Sequence, residues 1–155
     1  KSEVINEITA ISNFEERQYG YLPYDLSAAD TVKLIKDYYD YQNVSVKYNI
    51  TAKDIKKELA LGNLVIAPLN GQKLHNPFYT APGPERHTLV IIGYDVATQE
   101  FITNDVGTRH GQAYRYSENT VEQALQDYLT GDHVPIESVK TAMIVVAPKT
   151  AGSVL

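Results

Sequence analysis

This sequence predicts an α+β fold, and three observations carry the prediction. Within Glu3–Gln18 the apolar residues Val4, Ile5, Ile8, Ile11 and Phe14 recur near helical spacing, with Glu and Arg elsewhere. From Asn63 onward the apolar residues collect in short runs of strand length: Asn63–Leu69, Thr88–Tyr94, Glu100–Thr103 and Thr141–Ala147. The middle two are joined by the turn-forming Asp95–Gln99, a hairpin-sized connection, which makes their pairing antiparallel. Helices come first, then a mostly antiparallel sheet with one late helix.

The elements follow in order. Gly20 ends the first helix, and Tyr21–Tyr24 reads as a turn. Ser27 is placed as an N-cap with Asp30 three positions on, opening a helix to about Tyr41 that carries Val32, Leu34, Ile35, Tyr38 and Tyr39. Asn43 closes it, and Val44–Tyr48 alternates as a short strand. Thr51 caps Ala52–Leu61, whose Ile55, Leu59 and Leu61 are expected to face inward, and Gly62 stops it. Asn63–Leu69 is apolar throughout, as a mid-sheet strand must be. Asn70–Glu85, rich in Gly, Pro and Asn, reads as a long ordered loop holding Phe78 and Tyr79. After the hairpin come a strand at Gln112–Tyr116 and a helix at Asn119–Leu129, capped by Ser117 and stopped by Gly131. Thr141–Ala147 is a buried strand and Thr150–Leu155 a frayed tail.

At 155 residues the chain is read as one domain, 1–155, long enough to bury a core. A net charge of −5 with no Lys/Arg cluster excludes an electrostatic footprint for nucleic acid or anionic lipid. No apolar run approaches the ~18 residues of a membrane span, and no signal-peptide pattern opens the chain. Cysteine is absent, which excludes disulfides, thiolate metal sites and a cysteine nucleophile within this chain. Twelve tyrosines against three phenylalanines and no tryptophan suggest rings that pack in the core and keep a polar rim.

The chemistry concentrates in Pro82–Gly111. Antiparallel pairing brings the start of one strand beside the end of the next, so His87 should meet Asn104 and Asp105. An imidazole oriented by a carboxylate or an amide is the rear half of a nucleophilic triad. His75, His87, His110 and Asp105 match no metal-ligand spacing, and neither a cofactor nor a metal is expected. Arg109 and His110 could line a groove or form an ordinary exposed loop pair, and His133 reads as surface. Ser27 as nucleophile is set aside because capping already explains it. The loop Leu74–Glu85 could equally wall a substrate cleft or cover a sheet edge.

The segments GNLVIAPLNG, PGPERHTLVIIGYD and FITNDVGTRHGQAYRY resemble the C-terminal half of papain-like cysteine peptidases. The closest likeness is to the bacterial branch related to the double-glycine leader peptidases of bacteriocin transporters. It covers about Ile55 to Pro148, with His87, Gly93, Tyr94 and Asp95 matching the catalytic His strand that runs into Gly-Tyr-Asp. The resemblance implies a papain-like fold, hydrolysis of peptide or amide bonds through an acyl-thioester, and His87 as its base. A match of the Gly107-Thr108 turn to plant-type enzymes selects Asn104 as the residue orienting His87. The double-glycine branch selects Asp105, which is the preferred expectation. Adjacent strand residues face opposite sides, so only one can point at His87.

The departure from the family lies at the front. The family's nucleophile is a Cys at the N-terminus of the first long helix, where dipole and His lower the thiol pKa, with an oxyanion-hole Gln just before it. Neither is found here. By the family's order that helix would precede Lys1, and the domain is expected to lack its nucleophile segment. As an alternative the chain is a pseudo-peptidase that binds peptide or a protein partner. A missing helix would leave an apolar sheet face exposed, through which the domain should associate. The expected partners are peptide or protein substrate, with no nucleic acid and no membrane span. The family also implies an extracytoplasmic bacterial setting.

Overall fold

The computed structural model describes residues 2–20 and 25–149. The turn expected at Tyr21–Tyr24 and the tail at Thr150–Leu155 lie outside the described residues. The elements are α1 (Ser2–Tyr19), α2 (Ala28–Tyr39), β1 (Val44–Tyr48), α3 (Ala52–Ala60), β2 (Leu64–Leu69), β3 (His87–Asp95), β4 (Glu100–Asn104), β5 (Tyr114–Ser117), α4 (Glu118–Ala124) and β6 (Ala142–Val146), with a 3₁₀ turn at Gly71–Leu74. The strands form one sheet in the order β1-β6-β2-β3-β4-β5, with every neighbouring pair antiparallel. β2, read as mid-sheet from its unbroken apolar run, lies between β6 and β3.

Local chemistry sets the helix starts. Ser27 Oγ accepts the Asp30 N–H at 3.1 Å and donates to the Asp30 carboxylate at 2.9 Å. At α3 the Asp54 carboxylate accepts the Thr51 N–H at 3.0 Å, the reciprocal bond of a capping box. Ser117 Oγ accepts the Thr120 N–H at 3.1 Å and opens α4. One sheet face, carrying Val65, Leu69, Leu89, Ile91 and Phe101, is packed with Ile55 of α3 and with Val121 and Ala124 of α4 in the main core. On the opposite face a smaller cluster joins Ala28 and Val32 of α2 to Val44, Ala142 and Ile144. Each large apolar side chain so buried contributes about 1.5–3 kcal/mol.

Three expectations are corrected. α4 ends at Ala124, not Leu129, because tertiary bonds capture its last backbone groups. Asn70 N–H donates to Ala124 C=O at 2.8 Å, Gln126 N–H to Pro68 C=O at 3.2 Å, and Asp127 N–H to Lys140 C=O at 2.7 Å. Leu125 therefore turns extended (φ −52, ψ 120) and bridges Leu69 at the end of β2. Leu61 does not face inward: it lies past the end of α3, at the C-cap, and is 72% exposed. β5 begins at Tyr114 because the chain before it is still turning through Gly111 and Ala113.

α1 is amphipathic as its spacing predicts, but the apolar residues of its first half stay largely in solvent. Val4, Ile5 and Ile8 are exposed, while Phe14 near the other end meets Tyr38 of α2 edge-on at 5.3 Å.

One irregularity positions the site. Between β3 and β4 the register shifts at Ile92, so that Ile91 faces Thr103 whereas Gly93 faces Ile102. This β-bulge leaves Ile92 as the extra residue and re-aims the part of β3 that begins at His87.

Candidate active site

His87 opens β3 and pairs with Leu69 of β2. Below the bulge Val90 faces Asn104, and side chains alternate from there. Asn104 therefore points to the face of Val90, away from His87. Asp105, one residue on, returns to the face of His87, Leu89 and Ile91. The structure accordingly brings His87 and Asp105 together, with Nε2 2.9 Å from Oδ1. It does not bring Asn104: that side chain is exposed, and its Oδ1 accepts the Ala113 N–H at 3.2 Å.

Asp105 is surrounded by donors. Oδ1 also accepts the Gly107 N–H at 2.9 Å. Oδ2 accepts the Tyr79 hydroxyl at 2.5 Å and the Tyr116 hydroxyl at 2.6 Å. Asn76 Nδ2 donates to the Tyr116 oxygen at 2.6 Å and lies 3.5 Å from Oδ2. Burial alone would push this carboxyl up, since the residue is only 3% exposed. The hydrogen bonds from His87, Tyr116, Tyr79 and Gly107 overcome that and hold it well below the usual carboxylate range. Burial and the Asp105 charge push both phenols up, so at neutral pH Tyr79 and Tyr116 stay protonated donors.

The glycines are steric requirements. A Cβ on Gly107 would stand 2.9 Å from His87 Cε1 and 3.0 Å from Tyr79 Cε1, inside the closest contact a side chain tolerates. A Cβ on Gly111 would stand 1.7 Å from the Asp105 carbonyl oxygen, whose own N–H donates to Gly111 C=O at 2.9 Å. The two residues let the turn after β4 fold tightly over the imidazole.

The charge of Asp105 decides the tautomer of His87. An ionised carboxylate only accepts, so a neutral His87 carries its proton on Nε2 and leaves Nδ1 as a base. Among the described residues Nδ1 has no hydrogen-bond partner. The assembly can take up and return a proton. The chain contains no cysteine, so no thiol of its own stands beside this base.

The sequence does not single out Tyr79, Tyr116 and Asn76 as partners of Asp105. Tyr116 had a readable signal: it pairs with Phe101, so alternation places it on the face of Phe101, Thr103 and Asp105. Tyr79 and Asn76 come from the long loop before β3, which thus meets the site directly. The other candidates lie elsewhere. His75 is exposed at the end of the 3₁₀ turn, and His110 stacks on Phe78 at 4.2 Å between ring centroids. Arg109 is exposed, His133 contacts Asp132 at 2.7 Å on the surface, and Ser27 is engaged as a cap. Among the described residues no three His, Asp or Glu side chains converge as a metal site, and no helix is long and apolar enough to cross a membrane.

Comparison with known proteins bears on the family and the fold. The model of the Peptidase_C39 like family matches residues 1–132. Among solved structures the chain is similar to a crystal structure of a C39-like peptidase from Bacillus anthracis, with a TM-score of 0.53 and 15% sequence identity. The match covers 82% of this chain and 62% of that one, so the chain spans less than two thirds of that protein's length. At this identity the likeness speaks for the fold, which is papain-like α+β. Among curated proteins none matches.

Proposed function

The chain belongs to the Peptidase_C39 like family, and from that premise we propose that it carries the proton-transfer half of a thiol peptidase site. The observation behind this reading is the 2.9 Å contact of His87 Nε2 with a buried Asp105 held charged by two tyrosines and a backbone N–H. The thiol comes from polypeptide outside these 155 residues. Its S–H proton passes to His87 Nδ1 as sulfur attacks the scissile carbonyl. When the tetrahedral intermediate collapses, the C–N bond breaks and the amine leaves with that proton. His87 then activates the water that hydrolyses the acyl-thioester. Asp105 orients the ring and stabilises the imidazolium without itself being protonated.

The setting we propose is bacterial, with a double-glycine leader peptide as substrate. A second reading, a pseudo-peptidase that binds peptide without cutting it, is favoured by one fact, the absence of cysteine from the chain.

The coding sequence ahead of Lys1 separates the two. A Cys opening an apolar helix, with a Gln a few residues earlier, supports the peptidase. A longer chain expressed from it should cleave peptides and lose that activity on His87→Ala and on replacement of the Cys by Ala. If no such Cys is encoded, or if cleavage survives His87→Ala, the peptidase reading fails.

A further inference from the structure

Beside the start of β3 lies a groove of about 400 Å³ whose polar lining is acidic and hydroxylic. Its sides are Ile8 and Ile11 of α1 and Leu34 of α2. Thr88 also lines it, and the Thr88 and Tyr128 hydroxyls meet there at 2.8 Å. Two carboxylates line the groove, Glu15 and Asp25. They differ in what balances them. Asp25 Oδ2 stands 3.3 Å from Nε of the buried Arg86, which also contacts Glu85 at 3.1 Å and donates to the Val134 carbonyl. Glu15 is 7% exposed, and its Oε1 is buried with no hydrogen-bond partner among the described residues. Burial pushes its carboxyl up, and no cation among the described residues offsets that.

We propose that this groove is a binding site for a lysine or arginine side chain of a peptide, with Glu15 as the counter-ion. The fit is chemical. A basic side chain is an apolar stem with a cation at its end. The groove offers aliphatic walls for the stem and, for the charge, a carboxylate whose buried Oε1 has no hydrogen-bond partner among the described residues. Arg86 does not compete for Glu15, since it is engaged with Asp25 and Glu85. Thr88 follows His87 in the chain, but successive strand residues face opposite sides, so the groove lies across the sheet from His87. The cation site therefore stands apart from the peptidase reading.

The test needs no catalysis. Short acetylated, amidated glycine peptides containing one lysine, one arginine or one norleucine are titrated into the 155-residue chain. Binding is followed by calorimetry and by the amide signals of Thr88, Thr31 and Tyr128. The lysine and arginine peptides should bind at least tenfold tighter than the norleucine peptide, ~1.4 kcal/mol. Glu15→Gln should abolish that preference, while the exposed Glu137→Gln should keep it. Equal affinities for lysine and norleucine, or a preference that survives Glu15→Gln, overturn the site. Should Glu15→Gln fail to fold, the lysine–norleucine comparison on the unchanged chain decides alone. The His87 ring signals should stay unmoved, since the groove faces the other side of the sheet, and a shift of those signals on lysine binding would overturn this placement.

Discussion

Asp105 and Glu15 are both acidic side chains removed from water, and the protein treats them oppositely. Asp105 is met by an imidazole, two phenols and a backbone N–H, and burial loses to those donors. Glu15 has one buried oxygen with no hydrogen-bond partner among the described residues, and burial wins. The difference shows that burial does not set the charge of a carboxylate by itself; the donors arranged around it do. A site held charged is prepared to stabilise an imidazolium. One left wanting a cation is prepared to receive it.

The sharpest way to break this contrast is to remove Asp105. Asp105→Ala leaves His87, Tyr79, Tyr116 and Gly107 N–H without their acceptor, and loss of one partner from a buried charged network costs about 3–5 kcal/mol. For a chain of this size that lowers the melting midpoint by roughly 10 °C. The sign with pH is fixed as well. A carboxyl held below its usual value stabilises the fold above the unfolded value of ~3.9, and that stability is lost as pH falls below it. Asp105→Asn should therefore unfold with a shallower acid limb than the unchanged chain in scans from pH 6 to pH 2. It should also release the tautomer. Ring ¹⁵N shifts of neutral His87 should report the Nε2–H form in the unchanged chain and a mixture in Asp105→Asn.

Next in size is Tyr116→Phe. It deletes one donor at 2.6 Å from a charged acceptor and strips Asn76 of the same oxygen, a loss of about 1.5–3 kcal/mol in urea unfolding. Asp105 keeps its contacts with His87, Tyr79 and Gly107 N–H, so the His87 tautomer should survive. If it does not, Tyr116 positions the carboxylate as well as stabilising its charge.

Glu15→Gln should move stability the other way. A carboxyl pushed up by burial penalises the fold at neutral pH, and the penalty disappears as pH falls below the unfolded glutamate value of ~4.3. The variant should therefore be more stable by about 1 kcal/mol at pH 7 and equal to the unchanged chain near pH 4. A stabilisation that persists at pH 4 would mean that Glu15 carries no charge penalty.

Much of this arrangement was legible in the sequence. Period-2 runs and the Asp95–Gln99 turn give the hairpin, and the hairpin gives the meeting of His87 with the end of β4. Capping chemistry at Ser27 and Ser117 is local, and both caps appear as read. What could not be read depends on contacts between distant segments. α4 stops at Ala124 because Pro68 and Lys140 capture the following N–H groups, and no helix signal within Glu118–Leu129 announces that. Tyr79 reaches Asp105 from the middle of a long loop, where no periodicity constrains its direction. The choice between Asp105 and Asn104 turns on the bulge at Ile92, which changes the alternation across the hairpin and leaves no mark in composition.

That choice also supplies the smallest prediction, and the most discriminating for its size. Asn104 and Asp105 are neighbours in sequence, yet alternation below the bulge sends them to opposite faces. Asn104→Ala removes one hydrogen bond to Ala113 N–H from an exposed side chain, a change within about 0.5 kcal/mol. The His87 ring shifts should stay at their unchanged values, while Asp105→Asn alters them. A double-mutant cycle between Asn104→Ala and Tyr116→Phe should show no coupling beyond ~0.5 kcal/mol, because the two side chains share no partner. Coupling larger than that, or a His87 tautomer that responds to Asn104→Ala, would mean that the register below Ile92 slips by one residue in solution. The orienting role would then pass from the carboxylate to the amide.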